Sequence, residues 1–496
     1  MLRCYAVQGS ILSTVCKRQG SRSRTPTCTS RRAAAAATEA LGQELKSRRL
    51  SANSTLKYVE GSKRVFLNTG TRFPREVIWA VGAIKLSAAR SNSELGLLDR
   101  EVGKAIQSTA RELMEGKHDD LMVVDVYQTG SGTGFNMNAN EVIAELATNE
   151  LGKKVHPNDH VNMSQSSNDV GPTAVRVAAA LAVSRDLLPA LDGMRRSLAS
   201  LSKRTSTVYK SGRTHLRDAL PVTMGQEFGA FADEFSRDSK LVKDTLGFLL
   251  ELPIGGTAVG TGLNSDPKFG GMVAKGVADL SKIRFTSASN KFRPTRLLTD
   301  MSALSGAMRT VSIGLYRLCQ DLRLMFSGPL TGLGEIDIPT QEEVAGSSIM
   351  PGKTNPVTVE SALLAVAEVV GLDGANAFAA SLGEFELAMG VPLMGYNVVL
   401  QAKLLSEALN KVSSLVVAHV VPKREKALGY AETSPALITL VSPRIGYDKA
   451  AVLGKEIARG TPIRTALKKL GFGPKEIDSM LNMSGLVEPG IPSKKV

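Results

Sequence analysis

Apolar residues in this chain recur at the spacing of long packed helices. Leu297, Met301, Leu304, Met308, Val311, Leu315, Leu318, Leu322 and Met325 alternate four- and three-residue steps. That rhythm places them on one helical stripe shaped for knobs-into-holes packing. Shorter seams run through Leu187, Leu191, Met194, Leu198 and Leu201, and through Leu405, Leu409, Val412 and Val416. Seams need partner helices, so the pattern predicts an all-α helix bundle. No strand–helix alternation of the kind a parallel sheet requires is evident. The three seams also predict more apolar surface than one monomer covers, and hence association in closed symmetry. Cys319 and His419 fall on or beside the seams and are expected in the core, whereas His118 reads as surface.

Between the periodic stretches lie polar, Gly-rich segments at 128–141, 156–172, 212–226, 255–264 and 345–356. Polar loops set in a helical scaffold are where chemistry is to be sought. Gly346-Ser347-Ser348-Ile349-Met350-Pro351-Gly352-Lys353-Thr354-Asn355-Pro356 combines bendable glycines with hydroxyls, an ammonium and a carboxamide. Exposed amides beside Lys353 and Asn355 suit an anion, and Pro356 suits the first turn of a helix. Thr129 to Asn138 gathers hydroxyls and amides on a Gly-rich turn but lacks the Gly-Lys-Ser/Thr ending of a phosphate loop. Ser164 to Asp169 precedes a helix expected to start near Pro172, and capping accounts for only one of its polar residues. His215, in Gly212-Arg213-Thr214-His215, is one of five histidines. It supplies a group titrating near neutrality, which the other segments lack. Glu360 lies four residues past Pro356 and could orient it.

Charge changes the picture little. The net charge is +14, but residues 1–50 hold ten Lys or Arg against Glu39 and Glu44, so that tail alone carries +8. The excess therefore does not point to nucleic acid. A tail rich in Arg, Ser, Thr and Ala has the composition of a transit peptide, and the expected location is the mitochondrial matrix rather than plastid or cytoplasm. The alternative for residues 1–50 is a disordered tail. Cys4, Cys16 and Cys28 lie in the tail, leaving Cys319, so neither a disulfide framework nor a metal or iron–sulfur site is expected. Late in the chain the longest uncharged stretch, 387–402, is broken by Gly390, Pro392 and Gly395. It falls short of the about 20 apolar residues of a spanning helix, so no membrane segment is expected.

Taken together, the ordered segments resemble the fumarase/aspartase superfamily, and within it class II fumarase. The matches run in order through 128–142, 154–172, 212–227, 255–264, 345–356 and Ile445-Gly446-Tyr447-Asp448-Lys449. Aspartases usually carry Gln where this chain has His215, and Ser-Thr-Asn where it has Ser166-Ser167-Asn168. The resemblance implies a three-domain, all-α fold with an N-terminal helical domain at 51–165, a central long-helix domain at 166–425 and a small C-terminal domain at 426–496. It implies a homotetramer whose core packs about twenty helices, with each site built from several subunits. The implied activity is the reversible hydration of fumarate to (S)-malate, a step of the tricarboxylic acid cycle, without a cofactor. An aspartate ammonia-lyase or related lyase, or a non-catalytic helical assembly protein, is the alternative.

Carried over by position, Ser347 would remove the C3 proton of malate, with backbone amides of its loop stabilising the alkoxide. His215, paired with Glu360, would act on the departing hydroxyl through a water. Lys353, Thr354 and Asn355 would hold the carboxylate that takes up carbanion charge. Ser131, Gly132, Thr133, Asn136, Ser166, Ser167, Asn168, Thr214 and Ser348 would complete the dicarboxylate site. His156, Pro157, Asn158 and Asp159 resemble a second dicarboxylate site. The chain departs from the pattern at Gly134-Phe135, where Gln-Ser is common, at Lys153, where Arg is common, and over 58–71. Phe135 is expected to trim the pocket.

Overall fold

The computed structural model describes residues 56–341 and 349–490. The tail 1–50, Ser347 and Ser348 lie outside the described residues. The chain is all-α in architecture. Helices α1 (Lys57–Val65), α2 (Arg75–Glu94), α3 (Arg100–Met114) and α4 (Thr133–Leu151) come first. Then α5 (Ser167–Ala182) runs through a π-turn into α6 (Leu188–Arg204). A hairpin of β1 (Tyr209–Thr214) and β2 (Arg217–Thr223) leads into α7 (Met224–Gly247) and α8 (Phe269–Ser281). The long helices α9 (Thr299–Phe326), α10 (Val357–Ser381) and α11 (Val391–Lys411) follow, and α12 (Arg424–Thr433) opens the C-terminal group.

The seams pack as their spacing demands. Met301 through Met325 line the buried face of α9, against α7, α10 and α11. Leu297 is the exception: it lies before the helix and is exposed. The α6 and α11 seams are buried as well. Because all three close within the chain, they do not supply the uncovered surface expected of them. That surface lies elsewhere. α10 is apolar around much of its circumference, and Leu364, Val370 and Phe378 are 75%, 43% and 70% exposed. By length and composition α10 could cross a membrane, which the reading of 387–402 did not anticipate. It carries Glu360, Glu368 and Asp373, however, and packs lengthwise on α9 and α11.

One hydrophobic cluster runs from Phe73 to Ala427, and a second, around Leu437, Val441, Leu453 and Leu467, holds the C-terminal helices. The fully buried Arg176 of α5 grips Asp300 at 2.8 and 3.0 Å and takes the carbonyls of Pro172, Pro294 and Leu297. Each of its donors is used, which is what a buried guanidinium requires. The pair fixes α5, whose N-terminus carries candidate site residues, to the start of α9.

Four local expectations are corrected. The helix containing Pro172 starts at Ser167: Ser166 and Asp169 form a reciprocal capping box there, so capping uses two residues of that segment. Segment 212–226 is a hairpin and the start of α7; its period of two is hidden by a bulge and by a His-Leu turn lacking the usual Asn-Gly. His419 is exposed, because the π-turn Val412–Val416 shifts the phase and buries Val417 and Val420 instead. His118 is buried, bonded to Glu112 at 2.9 Å.

Candidate active site

Two helix N-termini meet in the first half of the chain. α4 begins after Thr129-Gly130-Ser131-Gly132, where Ser131 has φ 60° and Gly132 φ 82°. The left-handed pair turns the chain sharply into the helix; Gly132 offers no side-chain cap, and Gln128 Oε1 accepts the third amide, that of Phe135, at 2.8 Å. α5 begins at Ser167. Ser131 Oγ donates to Asn168 Oδ1 at 2.7 Å, and the Thr133 and Ser167 hydroxyls share a hydrogen bond of 2.8 Å. The positive ends of two helices of 19 and 16 residues thus converge on one patch of hydroxyls and amides. The aligned dipoles of the two helices favour a carboxylate there. Asn168 Nδ2 donates to the Ala258 carbonyl at 2.8 Å and brings the 255–264 loop over the patch.

A buried network supports it. Asp169, fully enclosed, accepts the amides of Ser166 at 2.9 Å, Gly255 at 3.0 Å and Thr257 at 2.9 Å. Burial pushes its carboxyl up to about 6, against the pull of those amides and of Lys85. Lys85 of α2 is equally buried, and desolvation brings its ammonium down to about 7. Its Nζ donates to Asn162 Oδ1 and Gln165 Oε1, each at 2.9 Å. Asn162 Oδ1 also accepts from Asn136 Nδ2 at 3.2 Å. The amide oxygen of Asn136 is buried without a partner. Lys85, Asn162, Gln165 and Asp169 were not singled out in the sequence as site residues. A lysine at a buried position of an apolar helix is the one signal that could have found the first.

Gly134 and Phe135, the departures in this turn, have structural reasons. A Cβ on Gly134 would stand 2.6 Å from Gln128 Oε1 and 2.9 Å from the Phe66 ring. Phe135 is buried, with its ring 4.4 Å from that of Phe73. It therefore fills the core and does not trim the pocket. Segment 58–71 is held in place too. Glu141 accepts the Tyr58 and Val59 amides, and Asp125 accepts those of Thr69 and Gly70.

The second group of candidates lies apart from the first. Gly352, at φ 80°, turns the chain toward Pro356, which stands at the N-cap of α10. Lys353, Thr354, Asn355 and Glu360 line a cleft of about 570 Å³ together with Leu216, Arg323 and Gly328. Thr214 and His215 are at the exposed end of the β1–β2 hairpin. Among the described residues, the side chains of Thr214, His215, Lys353, Asn355 and Glu360 make no hydrogen bond or ion pair with the helix-end cluster, and His215 and Glu360 make none with each other. Within one chain, then, the sequence-predicted site appears as two half-sites.

The 156–159 segment forms a surface π-turn. His156 Nδ1 accepts the Asp159 amide at 3.1 Å and lies 3.1 Å from its carboxylate. Lys153 is paired with Glu101 at 3.0 Å. Among the described residues no cluster of three or more His, Cys, Asp or Glu could hold a metal ion.

The chain is similar to known proteins. A family model described as Lyase matches residues 56–371. The class II fumarate hydratase of Saccharolobus solfataricus is 56% identical over 439 residues, which is 88% of this chain and 100% of that protein. The class II fumarate hydratase of Xylella fastidiosa is 42% identical over 85% of this chain and 89% of its own length. The crystal structure of a recombinant class II fumarase from Schistosoma mansoni superposes with a TM-score of 0.82 at 32% identity, covering 87% of this chain and 95% of that one. In sequence and in structure alike, the chain belongs to the class II fumarase family of lyases.

Proposed function

We propose that this chain is a hydro-lyase that interconverts fumarate and water with (S)-malate. The observation that carries the reading is the meeting of the α4 and α5 N-termini through the Ser131–Asn168 and Thr133–Ser167 hydrogen bonds. It makes a compact, preorganised carboxylate cradle. Following the ultraviolet absorbance of the fumarate double bond tests it. Malate should raise the absorbance and aspartate should not. A rise with aspartate alone would indicate an ammonia-lyase, and no rise with either would indicate an assembly protein.

The chemistry needs a base, an acid and a stabiliser of carbanion charge. In this reading Ser347 takes the C3 proton. The electron pair moves into the adjoining carboxylate, held by Lys353, Thr354 and Asn355. The pair then returns to form the C2–C3 double bond as the C2 hydroxyl leaves as water, protonated through a water polarised by His215, which Glu360 orients. Ser131, Gly132, Thr133, Asn136, Ser166, Ser167 and Asn168 bind the substrate carboxylates, joined by Thr214 and Ser348. The separation of the half-sites and the uncovered apolar face of α10 support a homotetramer in which facing subunits complete each site. The second hydrophobic cluster supports a small C-terminal domain at 426–496, after an N-terminal domain at 51–165 and a central one at 166–425.

Import of the chain into mitochondria rests on the composition of the first 50 residues alone; the Saccharolobus solfataricus and Xylella fastidiosa relatives named above, from an archaeon and a bacterium, add no support. A fusion of residues 1–50 to a fluorescent protein tests it. At 156–159, His156 and Lys153 lie against Asp159 and Glu101, which leaves the exposed Lys154 as the neighbouring cation for a second dicarboxylate.

A further inference from the structure

His215 stands at the tip of the hairpin, exposed, with no hydrogen bond or ion pair from its side chain among the described residues. It and Leu216 both adopt left-handed backbone, at φ 54° and 57°. This is a two-residue turn of the type that normally uses Asn-Gly. Left-handed conformation costs each such residue about 1 kcal/mol. Two in succession persist only where the flanking structure leaves the chain no choice. The constraint lies at the base of the hairpin. Lys210 Nζ sits 2.8 Å from Glu227 Oε2 and 3.2 Å from Glu335 Oε2. Arg213 donates to both oxygens of Glu335, at 2.9 and 3.2 Å. Residues three apart on a regular strand point to opposite faces. Here the register shifts between Ser211 and Arg213, and the bulge turns both cations onto one carboxylate.

We propose that Glu335 is a positioning residue for the hydratase reaction: its buried carboxylate holds Arg213 and Lys210 together and thereby fixes where His215 stands. The inference rests on the reading of His215 as catalytic. Glu335 is fully enclosed, and its own backbone is pinned. Its amide donates to the Met325 carbonyl at the end of α9 at 2.7 Å, and its carbonyl accepts the Lys423 amide at 2.8 Å. The Arg213 guanidinium also lies 5.6 Å from the centre of the Tyr430 ring, whose hydroxyl is bonded to the Leu333 carbonyl at 3.0 Å. Arg213 is two residues from His215, roughly 7 Å along the strand. Little slack separates anchor from tip. Glu335 also lies on the segment that runs on toward Ser347, so one carboxylate braces the hairpin of His215 against the stretch leading to the candidate base.

The test compares Glu335→Gln and Arg213→Gln with the wild type in the full-length chain. The expected result is a kcat lower by about thirtyfold with KM raised by no more than about fivefold, because the helix-end cluster is untouched and only Thr214, next to Arg213, shifts with the hairpin. The double variant should be no slower than the slower single one, since both cut the same tether. Turnover per correctly assembled molecule equal to wild type, or losses in the two singles that multiply in the double, would overturn the proposal. If either variant fails to fold, Leu216→Gly decides. It loosens the tip without touching the buried charges and should lower kcat at constant KM, whereas unchanged kcat would refute the positioning role. A wild-type chain inactive on malate would instead defeat the functional reading itself.

Discussion

The two half-sites are built in opposite ways. At the ends of α4 and α5, Ser131, Asn136 and Asp169 are buried, and hydrogen bonds join Ser131 to Asn168 and Thr133 to Ser167. Beneath them lies a lysine–carboxamide–carboxylate network. At the hairpin tip, the 349–356 loop and the start of α10, His215, Lys353 and Glu360 are exposed and have no side-chain partner among the described residues. Binding a dianion benefits from dipoles that need not reorganise. The proposed reacting groups, by contrast, sit on elements that make no hydrogen bond or ion pair with the cradle among the described residues. In the proposed reading, the chain finishes the helix-end part of its binding site by itself and leaves the rest to assembly.

The largest effect should come from breaking the chemical half. Ser347→Ala is expected to lower kcat by roughly a thousandfold while a non-reacting malate analogue binds as before, because the base acts in the transition state. Mixed with an inactive His215→Asn chain and allowed to reassemble, it should recover measurable turnover. Some sites would then draw an intact Ser347 and an intact His215 from different subunits. Mixed tetramers of verified composition that stay inactive would end the shared-site account.

Weakening the binding half should show a different signature. Lys85→Met keeps the aliphatic stem but leaves Gln165 Oε1 without its donor and Asn162 Oδ1 with Asn136 alone. The expected outcome is a KM raised about tenfold with kcat within threefold, since polar groups left unpaired cost about 1–3 kcal/mol. A fall in kcat at constant KM would place Lys85 with the chemistry instead.

The smallest effect separates both halves from the surrounding bundle. Asp238 on α7 has a buried, unpartnered Oδ2, and burial followed by Glu234 pushes its carboxyl up to about 7. A carboxyl raised in the folded state binds its proton more tightly there than when unfolded. Stability therefore falls as pH rises from the ordinary carboxylate range to about 7, and stays lower above it. Asp238→Asn should stabilise by about 1 kcal/mol at pH 8. The gain should shrink toward pH 4, with turnover unchanged. Thermal unfolding at the two pH values measures it, and an equal gain at both would mean that ionisation is not the cause.

Much of the helical architecture was legible because packing imposes a period. Met301 through Met325 could be assigned to one face of α9 from their spacing alone. The features that misled were those where the backbone leaves its period. The π-turn before His419 rotated it outward, and the bulge after Ser211 concealed a hairpin. Phe135 looked like a pocket residue because it sits in a polar motif, but its contacts are with Phe73 on a distant segment.

The sequence by itself determined the helical class and the ordered set of polar segments. Each depends on local spacing and on functional-group chemistry. Only the tertiary structure decided that Ser131 meets Asn168, that Lys85 lies beneath them, and that Glu335 joins Lys210 to Arg213. It also decided which apolar faces close within the chain and which, as on α10, stay open. These are contacts across tens to more than a hundred residues. Nothing in residue spacing encodes the distance between two helix ends, because packing of the intervening elements sets it.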